Sequence, residues 1–309
     1  MNKPIVNPFI ALAIGAVSVS TSAIFVKLAT APAPVTAAYR LFFTVLLMLP
    51  VILFKYRKEL KLINRRDWIF TSIAGMFLAL HFILWFESLE YTSVASSVVL
   101  VTLQPLFAFA GTYFFFKEKL TAGAALSVIL ALSGSFMISW GDFRISGAAL
   151  FGDILALLGA AAVTGYFLSG QSVRKRLSLM TYTFVVYSIS TGFLFTYSLM
   201  LGHSLQAYPK NDWLMFLLLA IFPTLLGHTL FNWALKWLST SVISMSILFE
   251  PIGASILAYY ILGETVSMTQ VTGGFLILFG IFLFLFFHKR AERIHRTKAL
   301  KGFNRRADV

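Results

Sequence analysis

The chain has no cysteine among its 309 residues, so disulfides, thiolate metal sites and cysteine nucleophiles are excluded. Charge is scarce as well: Asp, Glu, Lys and Arg make up 12% of the residues, against about a quarter in soluble proteins. Acids are the rarer sign, 12 against 25 Lys and Arg. The five histidines are scattered, with no HExxH pair, and no GxxxxGK[ST] phosphate loop occurs. Neither clustered metal ligands nor a convergent nucleophile and base is visible, so the reading is a non-enzyme without cofactor or metal and without its own ATP drive.

What the chain has instead is apolar residues, 59% of the total, in repeated unbroken runs of about 20 that match the thickness of a bilayer. These runs define an all-α integral membrane protein. The net charge of +13 does not point to nucleic acid, because the positive residues sit in short loops and the tail beside the runs, where they set orientation and meet anionic membrane lipids. Lys3 ahead of an apolar run resembles the start of a signal peptide. The run from Phe9 to Val26 exceeds a secretory core of about 7 to 15 residues, and it is read as a retained first span.

A signature recurs at a shift of 146 residues: Pro105, Glu118 and Gly134, then Pro251, Glu264 and Gly280. Ungapped superposition of residues 89–136 on 235–282 gives 10 identities in 48, where such composition would give roughly four. Ser93/Ser239, Ala108/Ala254 and Tyr113/Tyr259 are among them.

Apolar stretches bounded by charge or by Pro, Asn and Ser clusters predict ten spans, near 8–30, 34–54, 68–88, 93–116, 121–140, 148–169, 181–201, 213–235, 241–262 and 269–287. Five fall in each half, 1–140 and 148–287, with a basic tail at 288–309. An odd number of spans per half turns the second copy over, giving two inverted five-helix repeats. With both termini on one side, 21 of the 25 Lys and Arg fall on that side. The positive-inside rule then puts both termini in the cytoplasm of a multi-pass protein of the cytoplasmic membrane.

Glu250 lies near the middle of the ninth span, where an acid costs at least about 2.5 kcal/mol. Its counterpart at the 146-residue shift is Gln104, and both precede a proline, Pro251 and Pro105. Proline frees a carbonyl one turn earlier, which lipid tolerates only around a polar cavity. Thr224, His228, Asn232 and Lys236, four residues apart, form a polar stripe on the eighth span; His81 and Trp85 share a face of the third, and Ser18, Thr21, Ser22 and Phe25 one of the first. The expected binding residues are therefore Glu250, Gln104, His228, Asn232, His81, Trp85, Ser22 and Phe25. For each histidine a plain helix-to-helix hydrogen bond is the competing role. Arg40, about 9 Å into the second span, is expected to snorkel to the outer interface. Glu118 and Glu264, with Pro105 and Pro251, are read as structural, the two acids marking helix-hairpin turns closed by capping of the helices that follow. Glycines 273, 274 and 280 mark close backbone approach.

The duplicated pattern Pro105-x12-Glu118-x15-Gly134 and Pro251-x12-Glu264-x15-Gly280, with the segments at 113–121 and 259–267, resembles the EamA family of the drug/metabolite transporter superfamily. Arg40 looks like the second-span arginine frequent in that family's first half, while Val186 stands at the equivalent place in the second. The resemblance implies a secondary transporter, an exporter of amino acids, other metabolites or small toxic compounds, with a central cavity lined by the first, third, fourth, sixth, eighth and ninth spans. In this reading Glu250 binds a cationic group or exchanges a coupling proton. The alternative is a channel or membrane sensor that uses the same cavity without alternating access.

Overall fold

The computed structural model describes residues 4, 6–92, 94–139, 147–263 and 265–307. Ser93, the connection at 140–146 and Glu264 lie outside the described residues, so the expected role of Glu264 has no structural counterpart here. Among the described residues no strand occurs. Nine helices among these residues are long and apolar enough to cross a bilayer: α1 (Pro8–Leu28), α2 (Ala33–Lys61), α3 (Arg65–Tyr91), α4 (Ser96–Phe116), α6 (Gly147–Val173), α7 (Leu179–Met200), α8 (Lys210–Ala234), α9 (Thr240–Leu262) and α10 (Met268–His288). A shorter apolar helix, α5 (Ala122–Ile138), completes the set among the described residues. Helix satisfies every backbone group internally, which is what hydrocarbon demands.

The polar residues between runs fix where helices begin. Asn64 accepts the Asp67 amide at 2.7 Å to start α3, and Ser178 accepts the Thr181 amide at 3.2 Å to start α7. After the duplicated signature, Thr121 caps α5 through the Ala124 amide, and Ser267 and Gln270 bond reciprocally at the head of α10. Each of the two helices that follow the signature is thus capped by polar residues at its head. Lys117 and Gly263, 146 residues apart, both end their helices in the left-handed region, at φ 57° and 69°.

Four helices that reach the centre are irregular. The α4 helix is interrupted at Thr102 and Leu103 and restarts at Gln104; α9 is interrupted at Leu248 and Phe249 and restarts at Glu250. Both breaks stand directly before the duplicated prolines, as the missing N–H and the ring clash require. The α1 helix breaks at Ser20 and Thr21, and α8 carries a π-helical segment, Ala220–His228, around Pro223.

The principal contacts follow one rule. The α3 helix packs on α6 as α1 packs on α8; α4 meets α6 as α9 meets α1; α3 meets α7 as α2 meets α8; and α2 pairs with α7, α4 with α9, α5 with α10. Exchanging each helix for the one five places along leaves this set unchanged. Glycine decides the α5–α10 pair: a Cβ on Gly134 would sit 2.5 Å from the Gly273 carbonyl, and one on Gly280 would sit 2.8 Å from the Ser127 carbonyl. The 146-residue shift carries the first contact onto the second.

The two ends of the bundle are fastened differently. At the basic end, Asp67 at the head of α3 pairs with Arg176, and Glu59 accepts the Ser178 amide at 2.7 Å and the Thr181 hydroxyl at 2.7 Å. Its hydrogen bonds to Asp67 raise the Arg176 pKa further, while burial lowers that of Arg174 to about 10. At the other end Asp212, at the head of α8, accepts the Thr30 amide at 3.0 Å and the Thr30 hydroxyl at 2.9 Å. Thr30 and Arg176 are 146 residues apart, and Asp212 and Asp67 differ from that spacing by one.

Candidate functional site

The break in α4 and the break in α9 place Gln104 and Glu250 at the first turn of the helices that follow. Both side chains are buried and line one cavity of about 20 Å³. Ser22, His81, Trp85 and His228 line it too. The expected site residues it brings together are thus Glu250, Gln104, His228, His81, Trp85 and Ser22. Three pairs in the lining are related by the 146-residue shift: Gln104 and Glu250, Val101 and Ile247, Trp85 and Phe231. The cavity lies where equivalent surfaces of the two halves face one another.

The polar atoms around it are unevenly partnered. His81 Nδ1 lies 3.0 Å from the Gly159 carbonyl, so the helix-to-helix bond weighed for this residue exists alongside its place in the lining. Its ring stacks on Trp85 at 5.7 Å. His228 sits among the rings of Phe82, Tyr166, Phe167 and Phe231, and its Nδ1 has no hydrogen-bond partner. Trp85 Nε1 and Gln104 Oε1 are likewise buried without a partner. Orphaned groups of this kind cost about 1–3 kcal/mol each unless something polar meets them.

Two expected site residues stand elsewhere. Asn232 is absent from the lining: its side-chain amide donates to the Tyr166 hydroxyl and, at 2.7 Å, to the His228 carbonyl, and its backbone carbonyl accepts Arg174 Nε at 2.8 Å. It belongs to a buried layer with Tyr166, Tyr182 and Tyr187. The stripe that grouped it with His228 presumed an α-helix, and the π-helical turn through His228 changes the phase. Phe25 is half-buried and packs its ring on Phe222 at 6.2 Å, away from the lining.

Arg40 departs most from expectation. It does not snorkel; its exposure is 0% and it lines the cavity. Arg40 Nε donates to Thr224 Oγ1 at 2.8 Å and Nη1 to Ser22 Oγ at 2.9 Å, and the guanidinium lies 4.4 Å from the centre of the Phe82 ring. Arginine thereby ties α2 to α1 and α8 at the level of Glu250. Ser22 and Thr224 supply the hydroxyls that receive the guanidinium.

Toward the basic end the cavity is bordered by a polar layer. Thr112 of α4 and Ser241 of α9 share a hydrogen bond of 2.8 Å, and Gln171 of α6 donates to Glu118 at 3.2 Å while accepting from the amide and hydroxyl of Thr240. Beyond it opens a vestibule of about 510 Å³ lined by Glu118, Gln171, Ser241, Lys236 and their neighbours. Glu118 therefore does more than mark a turn: it bonds across the bundle. Among the described residues no group of three His, Asp or Glu is placed to hold a metal.

A helical bundle with bilayer-spanning helices and a polar cavity at its centre defines a multi-pass membrane transporter. The chain belongs to the EamA-like transporter family, whose profile matches residues 7–140 and 150–286. It is 25% identical, over 88% of its own length and 94% of the other, to an uncharacterized transporter of Archaeoglobus fulgidus. It is 24% identical to the riboflavin transporter ImpX of Fusobacterium nucleatum, over 72% of this chain and 78% of that one. A crystal structure with 16% identity superposes with a TM-score of 0.75, covering 92% of this chain and 98% of the other, which establishes the shared fold.

Proposed function

We propose that the protein is a secondary active transporter of the cytoplasmic membrane that exports small metabolites, such as amino acids or related amphipathic compounds. Ten crossings form two inverted five-helix halves, 1–140 and 148–287, with both termini and the basic tail in the cytoplasm. The halves rock about the central cavity so that it opens to one side at a time. The observation that carries this reading is the lining itself, in which Gln104/Glu250, Val101/Ile247 and Trp85/Phe231 bring equivalent positions of both halves to one polar chamber. A space of about 20 Å³ holds one water-sized occupant, so passage of a metabolite requires the halves to separate. That requirement favours alternating access over a standing channel. Relatives at this level of identity share the fold and the class of activity, and their cargo does not carry over.

Glu250 takes a cationic group of the cargo or exchanges a coupling proton, and Gln104 faces it from the other half. In proteoliposomes, Glu250→Gln should fold normally while counterflow of the cargo falls severalfold or loses its pH dependence. Wild-type kinetics at every pH would remove Glu250 from the mechanism. Transport that never saturates and shows no counterflow would replace the transporter with a channel.

A further inference from the structure

The vestibule of about 510 Å³ beyond the polar layer is separate from the central cavity and falls within the size of small-molecule sites, about 300–1,000 Å³. Its lining has two parts. Trp237, Phe284 and Phe287 present aromatic rings, while Lys119, Lys175 and Lys236 bring cations from three separate places: the α4–α5 turn, the end of α6 and the end of α8. Among the described residues one acid lines the same space, Glu118, and it already accepts the Gln171 amide. None of the three lysines forms an ion pair within 4.0 Å among the described residues; the Lys236 ammonium lies 5.5 Å from the centre of the Trp237 ring. Trp237 Nε1 is a buried donor without an acceptor among those residues. A concave wall that gathers charges of one sign focuses their field on its interior. At the 146-residue shift Lys119, Lys175 and Lys236 correspond to Thr265, Ala29 and Glu90, so the equivalent positions of the other half hold no cation. Orientation in the membrane asks for lysines at the basic end, but not for their convergence on a ring-lined pocket.

We propose that the vestibule is a binding site for an anion attached to an apolar body, the anion among Lys119, Lys175 and Lys236 and the body against the rings of Trp237, Phe284 and Phe287. A bare inorganic anion leaves the rings unused, and an uncharged aromatic leaves the lysines unused. A soluble aromatic acid and an acidic lipid both have the required chemistry. Lys119 belongs to the first half and Lys175 and Lys236 to the second, so an occupant bridges the halves at the basic end. It binds this closed arrangement better than one in which the halves have parted there, and so shifts the population toward closure. That consequence, an inhibitory ligand acting from the basic side, rests on the transporter reading above; the site itself does not.

The test is photolabelling of the full-length protein in phosphatidylcholine nanodiscs with 4-benzoylbenzoate and, in parallel, with the uncharged 4-benzoylbenzamide. Labelled peptides are read by mass spectrometry. The acid should label segments 235–242 and 284–288 about fivefold more than the amide does. The triple variant Lys119→Gln, Lys175→Gln, Lys236→Gln should lose that preference, while Lys55→Gln, Lys58→Gln, Lys61→Gln, which removes the same charge elsewhere at the same end, should keep it. Each acid-to-amide ratio is taken within one variant, so partial loss of folded protein does not move it; if the first triple variant fails to insert, Lys236→Gln alone should lower the ratio about twofold. Equal labelling by acid and amide in the wild type, or a wild-type ratio in the Lys119, Lys175 and Lys236 variants, would overturn the proposal. Native mass spectrometry of the delipidated proteins with added phosphatidylglycerol separates the two sources: an adduct lost in the first triple variant assigns the site to a lipid headgroup, and equal adducts assign it to a soluble anion. In proteoliposomes kept dark, 4-benzoylbenzoate on the basic side should slow exchange of a total metabolite extract by the wild type and not by the first triple variant. Exchange that the acid leaves unchanged overturns the inhibitory role, whereas no exchange under any condition overturns the transporter reading and leaves the labelled site standing.

Discussion

At the scale of single residues, Arg40 is held by two hydroxyls and an aromatic face, with no acid in direct contact. Thr224 matters most, because it accepts from Arg40 and itself donates to the Leu219 carbonyl at 2.8 Å, the acceptor left over where Pro223 disturbs the helix. Thr224→Val keeps the shape and removes both bonds. It should destabilise the detergent-solubilised protein by about 1.5–3 kcal/mol, the range for a hydrogen bond to a charged group, and a thermal melt on the purified variant measures this. A melt unchanged from the wild type would mean that Thr224 does not hold the guanidinium. Gln104 and Glu250 were legible in the sequence because duplication, proline and mid-span polarity coincide at both. Arg40 was not, because depth along a helix is readable from a sequence whereas the direction in which a side chain leaves it depends on which neighbours pack there. The same limit applies to Asn232, whose register is altered by a π-helical turn that no residue spacing announces.

At the scale of helices, the α5–α10 pair is set by the absence of side chains. Gly134 faces the Gly273 backbone and Gly280 faces Ala131 and Ser127, so a larger residue at either glycine meets main chain that cannot swing aside. Gly134→Leu should therefore force the helices apart and lower the yield and melting temperature of the monodisperse protein, while Gly192→Leu, at a site with nothing within 4 Å, should change neither. Size-exclusion profiles and thermal melts of the two variants check this. Where the apolar helices lie was readable from hydropathy, whereas the fifth expected span, 121–140, is a shorter helix, Ala122–Ile138, and the second runs on to Lys61 past the expected 54. The interruptions in α4 and α9 were readable from Pro105 and Pro251, but the break at Ser20 and Thr21 in α1 was not, because no proline marks it.

At the scale of the whole molecule, the principal helix contacts survive exchange of the two halves, although α6 also meets α9 and α3 meets α4 without an equal counterpart, and the proposed inverted topology makes a test that needs no cargo. Cysteines introduced at 143 and 306 should label from opposite faces of intact cells with a membrane-impermeant reagent, and labelling from one face would refute ten crossings. The halves were legible as halves because the shift of 146 is constant across their most patterned segments. What the chain order could not reveal is how the two ends are held shut. The equivalent places are filled by Arg176 against Asp67 at one end and by Thr30 against Asp212 at the other. Only the first joins two formal charges, and Arg176 is 41% exposed, so mobile ions in the surrounding solution reach it. Ionic strength thus becomes a one-sided control: concentrated salt should loosen the basic end and leave its opposite fastened. A cysteine at Ser241 should react faster with an impermeant thiol reagent applied from the basic side as salt rises, and Asp67→Asn should give that faster rate already in dilute buffer, with the salt response gone.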